Sequence, residues 1–412
     1  MESKIKQELP NIFCLLCIVG YPLSQCFLSP LARLVSDSSL MSWGYHCFSL
    51  FTAFLTLWFY RKDKTSHNTS MNLAFVFFLL YAIRAIYDLD FARDHLNIIF
   101  AYKLQIYSFS RLRFQTYMYV FLLTIFQLYV FAKIVNKVDF IKVGKWIVGL
   151  GFFSLLISSI FSSQDYSFER IDGNTTLKNI GLGNFSSVVC LCSLLCSFQK
   201  NNNFVKKALY LSIPVFCMII SLKTASRGPI LSMLLCLCIY FLLFRMHKNP
   251  ILTFFIITAI LLFYSFVDYE AFLLKNFPVL YDRLERDNRT DIYITFWNEC
   301  LRNKAFGFQL DFLGYSHNMI IDSFMMFGFV GGLIVPIICL NAVYLAVSLR
   351  NNELSFLAIT LLFFFMICNM FSGSLGTNLA FWSTYLCVAN FYNETRVTSS
   401  SVNNYESVHA CS

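Results

Sequence analysis

The chain is poor in charged residues, which make up only 13% of its 412 residues, whereas 57% are hydrophobic. A water-soluble domain of this length could not cover so much apolar surface with so few polar side chains. The composition therefore excludes an ordinary water-soluble protein and indicates a protein that is surrounded by lipid.

The sequence also lacks the usual phosphate, dinucleotide and zinc motifs. It has no Gly-rich P-loop, no dinucleotide-binding glycine fingerprint and no His-Glu-x-x-His. Nearly all of its 15 Cys lie in apolar segments without His or acidic partners, where Cys acts as a small hydrophobe. We therefore expect no metal site, no cofactor and no nucleic-acid partner, so that the energy for any reaction would come from the substrate.

About twelve apolar segments approach the roughly 20 residues that a transmembrane helix needs. We predict an all-α, polytopic membrane protein with one helical domain, residues 1–392, and a cytoplasmic, disordered tail, residues 393–412. The tenth segment is long enough to require a tilt or a break. The predicted spans are 11–29, 41–60, 71–89, 114–132, 146–163, 182–198, 208–222, 229–244, 250–267, 317–347, 354–371 and 377–392.

Basic residues in short connections predict the orientation. They fall on one side, at 61–64, 133–145, 200–207 and 245–248. The positive-inside rule makes this side cytoplasmic, and both termini lie on it. The first span lacks a small-residue cleavage site, so we interpret it as an anchor rather than a signal peptide.

The opposite side carries two long loops, 164–181 and 268–316, and is unusually rich in cations. The 32 Lys and Arg residues divide evenly between the two predicted sides. The outer cations could bind an anionic partner, because the planar guanidinium group of Arg suits phosphate oxygens. Alternatively, long loops tolerate charge because they weigh little in the topology rule.

A short turn at 221–229 is predicted to hold Arg227 at the membrane surface. Pro229 suits the first turn of the next helix, and Gly228 allows close backbone approach. Arg227 is thus a candidate ligand for an anionic substrate. A side chain that merely extends its charge into the headgroup region would also explain it.

The two loops supply further candidate arginines. Residues 292–302 are apolar enough to form an amphipathic helix on the bilayer, which would bring Arg289 toward the headgroups. The mixed charges at 283–291 also fit a solvated helix face with internal ion pairs. The remaining candidate ligands in the loops are Arg170, Arg283 and Arg286.

His317 stands where the tenth span begins. Ser316 is a plausible N-cap for that span, and free amides at a helix N-terminus attract phosphate. A histidine placed there titrates near neutral pH, and Asn318 lies beside it. The simpler alternative is an interfacial histidine that only hydrogen-bonds its neighbours.

Two other charged residues lie in or beside apolar segments. Asp322, in the tenth span, is a functional candidate, although pairing with another helix would also explain it. Arg84 lies four residues before Asp88, a spacing that predicts a structural ion pair.

Taken in order, these segments resemble the O-antigen polymerase and O-antigen ligase superfamily of bacterial inner-membrane glycosyltransferases. The resemblance covers roughly residues 180 to 340. Gln309 and Met326 depart from the family pattern, which expects a second Gly and an acidic residue there. The matching residues are Ser226-Arg227-Gly228; Arg289 with Trp297; Asn303-Lys304-Ala305-Phe306-Gly307; His317-Asn318; and Gly328-x-x-Gly331-Gly332.

The resemblance implies a metal-independent transfer of an oligosaccharide from undecaprenyl diphosphate to a sugar hydroxyl, on the periplasmic face of a multi-pass inner-membrane protein. Arg227 and Arg289 would hold the diphosphate and stabilise its growing charge. His317 would orient or deprotonate the acceptor hydroxyl, and Asn318 would help to position it. A chain-length regulator protein is a possible partner.

Polymerase and ligase differ only in the acceptor, which is another lipid-linked repeat unit or the lipid A core. The spacing from Arg170 to Gly181 resembles a loop pattern of polymerases, so the polymerase is preferred and the ligase is the alternative. A non-enzymatic flippase for lipid-linked oligosaccharides is a further alternative. It should have short outer loops and two similar halves, and the long second loop disfavours it.

Overall fold

The computed structural model describes most of the chain, and the statements that follow concern this part. The described residues are 2–28, 30, 39–65, 68–87, 117–161, 163–165, 170–172, 179–198, 203–224, 226–241, 289–308, 316, 318–371, 376 and 378–409.

Helices make up nearly all of the described residues. A π-helix, Leu16–Gly20, joins α1 to α2, and a second π-helix, Tyr117–Phe126, leads into α5. Two short 3₁₀ helices span Val135–Lys137 and Glu353–Ser355. The α-helices are α1 (Glu2–Leu15), α2 (Tyr21–Phe27), α3 (Ser39–Tyr60), α4 (Thr69–Ile86), α5 (Gln127–Ile134), α6 (Phe140–Phe161), α7 (Asn179–Ser197), α8 (Phe204–Lys223), α9 (Arg227–Tyr240), α10 (Arg289–Arg302), α11 (Met319–Gly332), α12 (Ile334–Ser348), α13 (Phe356–Phe371) and α14 (Leu379–His409).

The predicted loop 164–181 contains a small antiparallel hairpin. Its strands are β1 (Ser163–Asp165) and β2 (Arg170–Asp172), and Asp165 pairs with Arg170. Strand β2 also contacts α7 and α8. The hairpin therefore lies at the end of the bundle where α8 leads into α9.

Seven helices in the described part are long and apolar enough to cross a membrane, or eight if one bent pair counts as a span. Their length and composition fit the predicted all-α membrane protein. The number of twelve spans stays a prediction. Helices α3 and α9 coincide with predicted spans, but they are not among these seven or eight helices. The predicted span 250–267 lies outside the described residues.

Of the tilt or break predicted for the tenth span, the structure has a break. Its two parts, α11 and α12, meet at an angle of 91°. Helix α12 packs along α4, where Ser70 donates a hydrogen bond to Asn341 Oδ1 at 2.9 Å. The tenth predicted span is therefore not one straight helix.

Helix α14 forms the centre of the core. Its Trp382 is fully buried and packs against Phe77 and Phe78 of α4, with ring centroids 5.0 Å apart in both pairs. Its Tyr385 donates a hydrogen bond to Asn341 at 2.7 Å. The helix continues to His409, so no helix boundary falls at residue 393, where the predicted tail begins.

One end of the bundle gathers three predicted cytoplasmic segments. Lys137 forms an ion pair with Asp63, and Lys133 Nζ donates to the Asp63 carbonyl oxygen at 2.8 Å. Lys142 pairs with Glu8 of α1 at 2.5 Å. The basic connections at 61–64 and 133–145 therefore share one end with the N-terminal helix, as the sequence predicts.

Candidate functional site

Helix α10 is docked on α11. The Trp297 ring meets Phe324 and Phe329 of α11 nearly edge-on, with centroids 5.9 and 5.8 Å apart. Cys300, on the next turn of α10, is buried, and its thiol lies 4.0 Å from the carbonyl oxygen of Ile321. The amphipathic helix predicted at 292–302 is thus present, and its apolar side covers α11.

The turn after α10, residues 303–308, packs against α11 at Gly328, where the helical backbone of α11 is interrupted. The N–H of Phe308 donates to the Met325 carbonyl oxygen, and the N–H of Phe329 donates to the Lys304 carbonyl oxygen, both at 2.8 Å. These bonds satisfy backbone groups that the helix break frees. We call α10, residues 303–308 and α11 the docked unit.

Two glycines make this close contact possible. Gly307 has φ +69°, and Gly328 has φ +70°, which side-chain-bearing residues rarely adopt. A Cβ atom at Gly307 would lie 2.2 Å from the Met325 carbonyl oxygen, and one at Gly328 would lie 2.3 Å from that of Ala305. The docked unit thus requires glycine at both positions.

Arg84 of α4 holds the docked unit against the bundle. It is 6% exposed, its guanidinium group donates to the Phe306 carbonyl oxygen, and it lies over the Tyr87 ring at 5.2 Å. Asp88, the partner that the sequence predicts for Arg84, lies outside the described residues. Sequence spacing gives no signal for the contact with Phe306, because the two residues are 222 positions apart.

Helix α11 begins with Asn318 as its N-cap. The Asn318 side chain accepts hydrogen bonds from the N–H groups of Ile320 and Ile321 at 3.0 and 3.3 Å. The prediction that Ser316 is the N-cap is therefore wrong by two residues. Asn318 suits this place because a short amide side chain reaches the first free N–H groups of a helix.

Asp322 anchors the segment that precedes this helix. Its carboxylate is 2% exposed and accepts a hydrogen bond from the Ser316 N–H at 2.6 Å. The Ser316 hydroxyl also lies 3.2 Å from both the N and O of Asn318. These bonds hold the two residues that flank position 317, and His317 itself lies outside the described residues.

The buried carboxylate affects its neighbour on α10. Burial raises the pKa of the Cys300 thiol to about 12, and the nearby negative charge of Asp322 adds to this rise. Cys300 is therefore a packed, protonated thiol rather than a nucleophile.

Three predicted arginines stand at the first residue of an element, namely Arg170 in β2, Arg227 in α9 and Arg289 in α10. The structure describes their backbone and not their side chains. Arg283 and Arg286 lie outside the described residues. The convergence of these guanidinium groups with His317 stays a prediction.

Packing places the start of α9 beside the start of α7. A Cβ atom at Gly183 would lie 3.0 Å from Pro229 Cγ and 3.1 Å from Thr224 Oγ1. The next residue, Asn184, accepts a hydrogen bond from the Cys368 thiol near the end of α13 at 3.4 Å. The turn that carries Arg227 therefore lies at the end of the bundle where α13 ends.

The docked unit lies at that same end. Asn378, at the start of α14, donates to Asn369 near the end of α13 at 2.8 Å. Gly376 packs on Tyr81 of α4, where a Cβ atom would lie 2.4 Å from its ring, and Tyr81 is one turn before Arg84. The backbone positions of Arg227 and of the docked unit therefore share one end of the bundle.

In the described part of the chain, no group of three or more His, Cys, Asp and Glu side chains could hold a metal ion.

The sequence indicated no role for Arg84 at the site and left the role of Asp322 undecided. A charged residue inside an apolar helix was the signal for Asp322, but its partner depended on the fold.

No protein-family model matches the sequence, and no curated protein matches it significantly.

Proposed function

We propose that the chain is a metal-independent polysaccharide polymerase of the O-antigen type. It would join oligosaccharide repeat units carried on undecaprenyl diphosphate. The protein would lie in a bacterial inner membrane, with its site facing the periplasm. The apolar helices support a membrane protein, and the chemistry rests on the residues at the end of the bundle that holds the docked unit.

The docked unit is the observation that carries this proposal. Two motifs of the family resemblance, residues 303–307 and 328–332, are joined by two backbone hydrogen bonds and by two glycines with positive φ. Their separation in sequence gives no reason for them to meet. A shared function of the motifs explains why both carry the residues that their contact requires.

Arg227 and Arg289 would bind the diphosphate. Each begins a helix, where free backbone N–H groups and the helix dipole attract anions. A guanidinium group can bind two phosphate oxygens at once. These groups would stabilise the negative charge that develops as undecaprenyl diphosphate leaves. Arg170, Arg283 and Arg286 would bind the substrate around this centre.

His317 would act on the acceptor. The acceptor hydroxyl oxygen forms a bond to the anomeric carbon of the donor sugar while the bond from that carbon to the diphosphate oxygen breaks. His317 takes the hydroxyl proton, and undecaprenyl diphosphate departs with the electron pair of the broken bond. Asp322 and Asn318 would position this histidine by fixing the backbone on either side of it.

A deletion strain tests this function. Polymerase loss should leave lipopolysaccharide that carries a single repeat unit, visible on a gel as core plus one band. Bare core with accumulated lipid-linked polymer would instead identify a ligase. Loss of all surface repeats, with complete lipid-linked units retained on the cytoplasmic side, would identify a flippase. A chain-length regulator, as a partner, would alter the ladder's length distribution without abolishing the ladder.

A further inference from the structure

A cavity of about 480 Å³ lies near the first turn of α14, and no residue of the docked unit is among its described lining residues. It is bounded by the π-helix between α1 and α2, the start of α3, the second π-helix and the start of α14. Small-molecule sites typically measure about 300–1,000 Å³. About half of the described residues that line it are polar, and no Asp, Glu, Lys or Arg is among these.

Aromatic rings form one wall. The rings of Tyr21 and His46 are stacked, with centroids 5.7 Å apart and planes 10° apart. The Tyr45 ring stands edge-on to both, at 5.5 and 5.3 Å. Tyr45 is fixed because its hydroxyl donates to the Leu16 carbonyl oxygen at 3.1 Å.

Amide side chains contribute to the other walls. Ser49 donates to Gln127 Oε1 at 3.0 Å, an orientation that leaves the Gln127 N–H groups for the cavity that this residue lines. Asn378 donates to Asn369 and accepts from the N–H of Phe381 at 3.0 Å, so it is also fixed. Rigid polar groups of this kind orient a ligand.

The π-helices Leu16–Gly20 and Tyr117–Phe126 both contribute residues to this cavity. π-Helical segments are rare and are frequently found at functional sites. Two such segments on one cavity favour a binding role over a simple packing defect.

The charge and polarity of the lining residues favour one class of ligand over others. A diphosphate would need cations, and none is among the described residues that line the cavity. A hydrocarbon chain would offer no acceptor to the Gln127 N–H groups, which is costly. An uncharged sugar suits the lining, because its C–H face can pack on aromatic rings while its hydroxyls exchange hydrogen bonds with amides.

The geometry points to a saccharide-binding subsite in this cavity, lined by Tyr21, Tyr45, His46, Gln127 and Asn378. This assignment rests on the proposed function, in which the cavity holds the sugar chain of a lipid-linked substrate while its diphosphate lies by the docked unit. Asn378 supports that arrangement, because the nearby Gly376 packs on Tyr81 at the same end of the bundle.

The test measures binding to the full-length protein in detergent micelles. The probe is the neutral oligosaccharide released by mild acid from the surface polysaccharide of the bacterium that encodes the chain. Gln127→Leu should weaken its binding about tenfold, the loss expected for one or two hydrogen bonds. His46→Phe, which keeps a ring, should weaken it less than His46→Leu does.

A pair of glycine variants gives a matched control. In Gly20→Ala the new Cβ would lie 2.8 Å from the Tyr45 hydroxyl, so the aromatic wall must shift and binding should fall. In Gly44→Ala, beside Tyr45 on α3, the Cβ meets nothing within 4 Å, and binding should not change. Wild-type binding in Gln127→Leu, His46→Leu and Gly20→Ala together would overturn the assignment.

Labelling of the wild-type protein covers the case in which variants fail to fold. A photoreactive derivative of the same oligosaccharide should label peptides that contain residues 16–22 or 42–46. Exclusive labelling elsewhere, or displacement of the probe by sugar-free undecaprenol, would overturn the subsite.

The two proposals fail separately. Arg289→Ala should abolish polymer formation and leave oligosaccharide binding unchanged. If the oligosaccharide binds in the cavity but the deletion strain shows no polymerase defect, the proposed function fails and the subsite stands. If polymer forms normally in the cavity variants and no label reaches the cavity, the subsite fails and the proposed function stands.

Discussion

The Asp322 carboxylate accepts a hydrogen bond from the backbone N–H of Ser316 at 2.6 Å, six residues back along the chain. This bond holds Ser316 against the first turn of α11. A buried carboxylate in an apolar helix thus binds the backbone, and in the proposed function it positions His317.

Asp322→Ala should reduce polymer formation strongly and destabilise the protein by about 1–3 kcal/mol, because a buried N–H loses its partner. Asp322→Asn keeps an acceptor oxygen but loses the charge, so its effect should be smaller. The polymer ladder and thermal unfolding of the purified protein measure both effects. Equal effects of the two variants would show that the charge itself, and not the bond to Ser316, is what matters.

Loss of the Asn318 N-cap should reduce polymer formation more than its effect on stability alone would. Asn318→Ala and Asn203→Ala each remove one helix N-cap and should cost a similar amount of stability, about 0.5–2 kcal/mol. Only Asn318→Ala should shorten or abolish the polymer, because Asn203 caps α8 at the far end of the bundle. Asn318→Ser should restore most of the activity. A polymer defect of equal size in Asn203→Ala would point to a general folding effect.

The two glycines of the docked unit should not tolerate a side chain. Gly307→Ala and Gly328→Ala force a residue into strained backbone, at about 1–3 kcal/mol each, and also place a Cβ against backbone atoms. Thermal unfolding and membrane yield should both fall. Gly149→Ala is the control, since its Cβ meets nothing within 4 Å. Wild-type stability in both docked-unit variants would contradict the close contact between residues 303–308 and α11.

The proposed diphosphate ligands Arg227 and Arg289 can be compared with Arg302, which is on the same helix as Arg289. Arg227→Ala and Arg289→Ala should each slow transfer by about 10² to 10³, by analogy with the loss of one charge-stabilising group. His317→Ala should slow it by about 10² to 10⁴. Arg302→Ala should have little effect, because its side chain is 74% exposed and its ion pair among the described residues is with Glu299, one turn away. A full-length ladder in the Arg227, Arg289 and His317 variants would refute the site.

Cys300 reports on the docking of α10. Its pKa is raised to about 12 by burial and by Asp322, so the thiol stays protonated in the folded protein. An unfolded thiol titrates near pH 8.5, so this stabilising contribution is complete below about pH 8.5 and is lost as the pH rises toward 12. Maleimide labelling of the Cys300 peptide at pH 8, followed by mass spectrometry, should be slow in the wild type and faster in Gly328→Ala. Rapid wild-type labelling would contradict the burial.

Local patterns predicted the parts of the site that depend on neighbouring residues. The amphipathic pattern at 292–302 predicts α10. The length of the tenth span predicts a tilt or a break, and the structure has a break between α11 and α12. The N-cap was misplaced by two residues, because Ser316 and Asn318 are both good caps and the choice depends on the bond between Ser316 and Asp322. The contact of Arg84 with Phe306 could not be predicted, because neither segment has a local sequence pattern that indicates its contact with the other.

The sequence by itself determined that this chain is helical and membrane-embedded, because continuous apolar runs in a membrane can form their backbone hydrogen bonds only within helices. Its Gly and Arg motifs also indicated where chemistry could lie. Only the tertiary structure decided that residues 303–308 pack into the break in α11, that Asp322 accepts a hydrogen bond from the Ser316 N–H, and that α11 and α12 meet at 91°. Each of these depends on contacts between segments far apart in the chain, and hydropathy and spacing carry no information about such contacts.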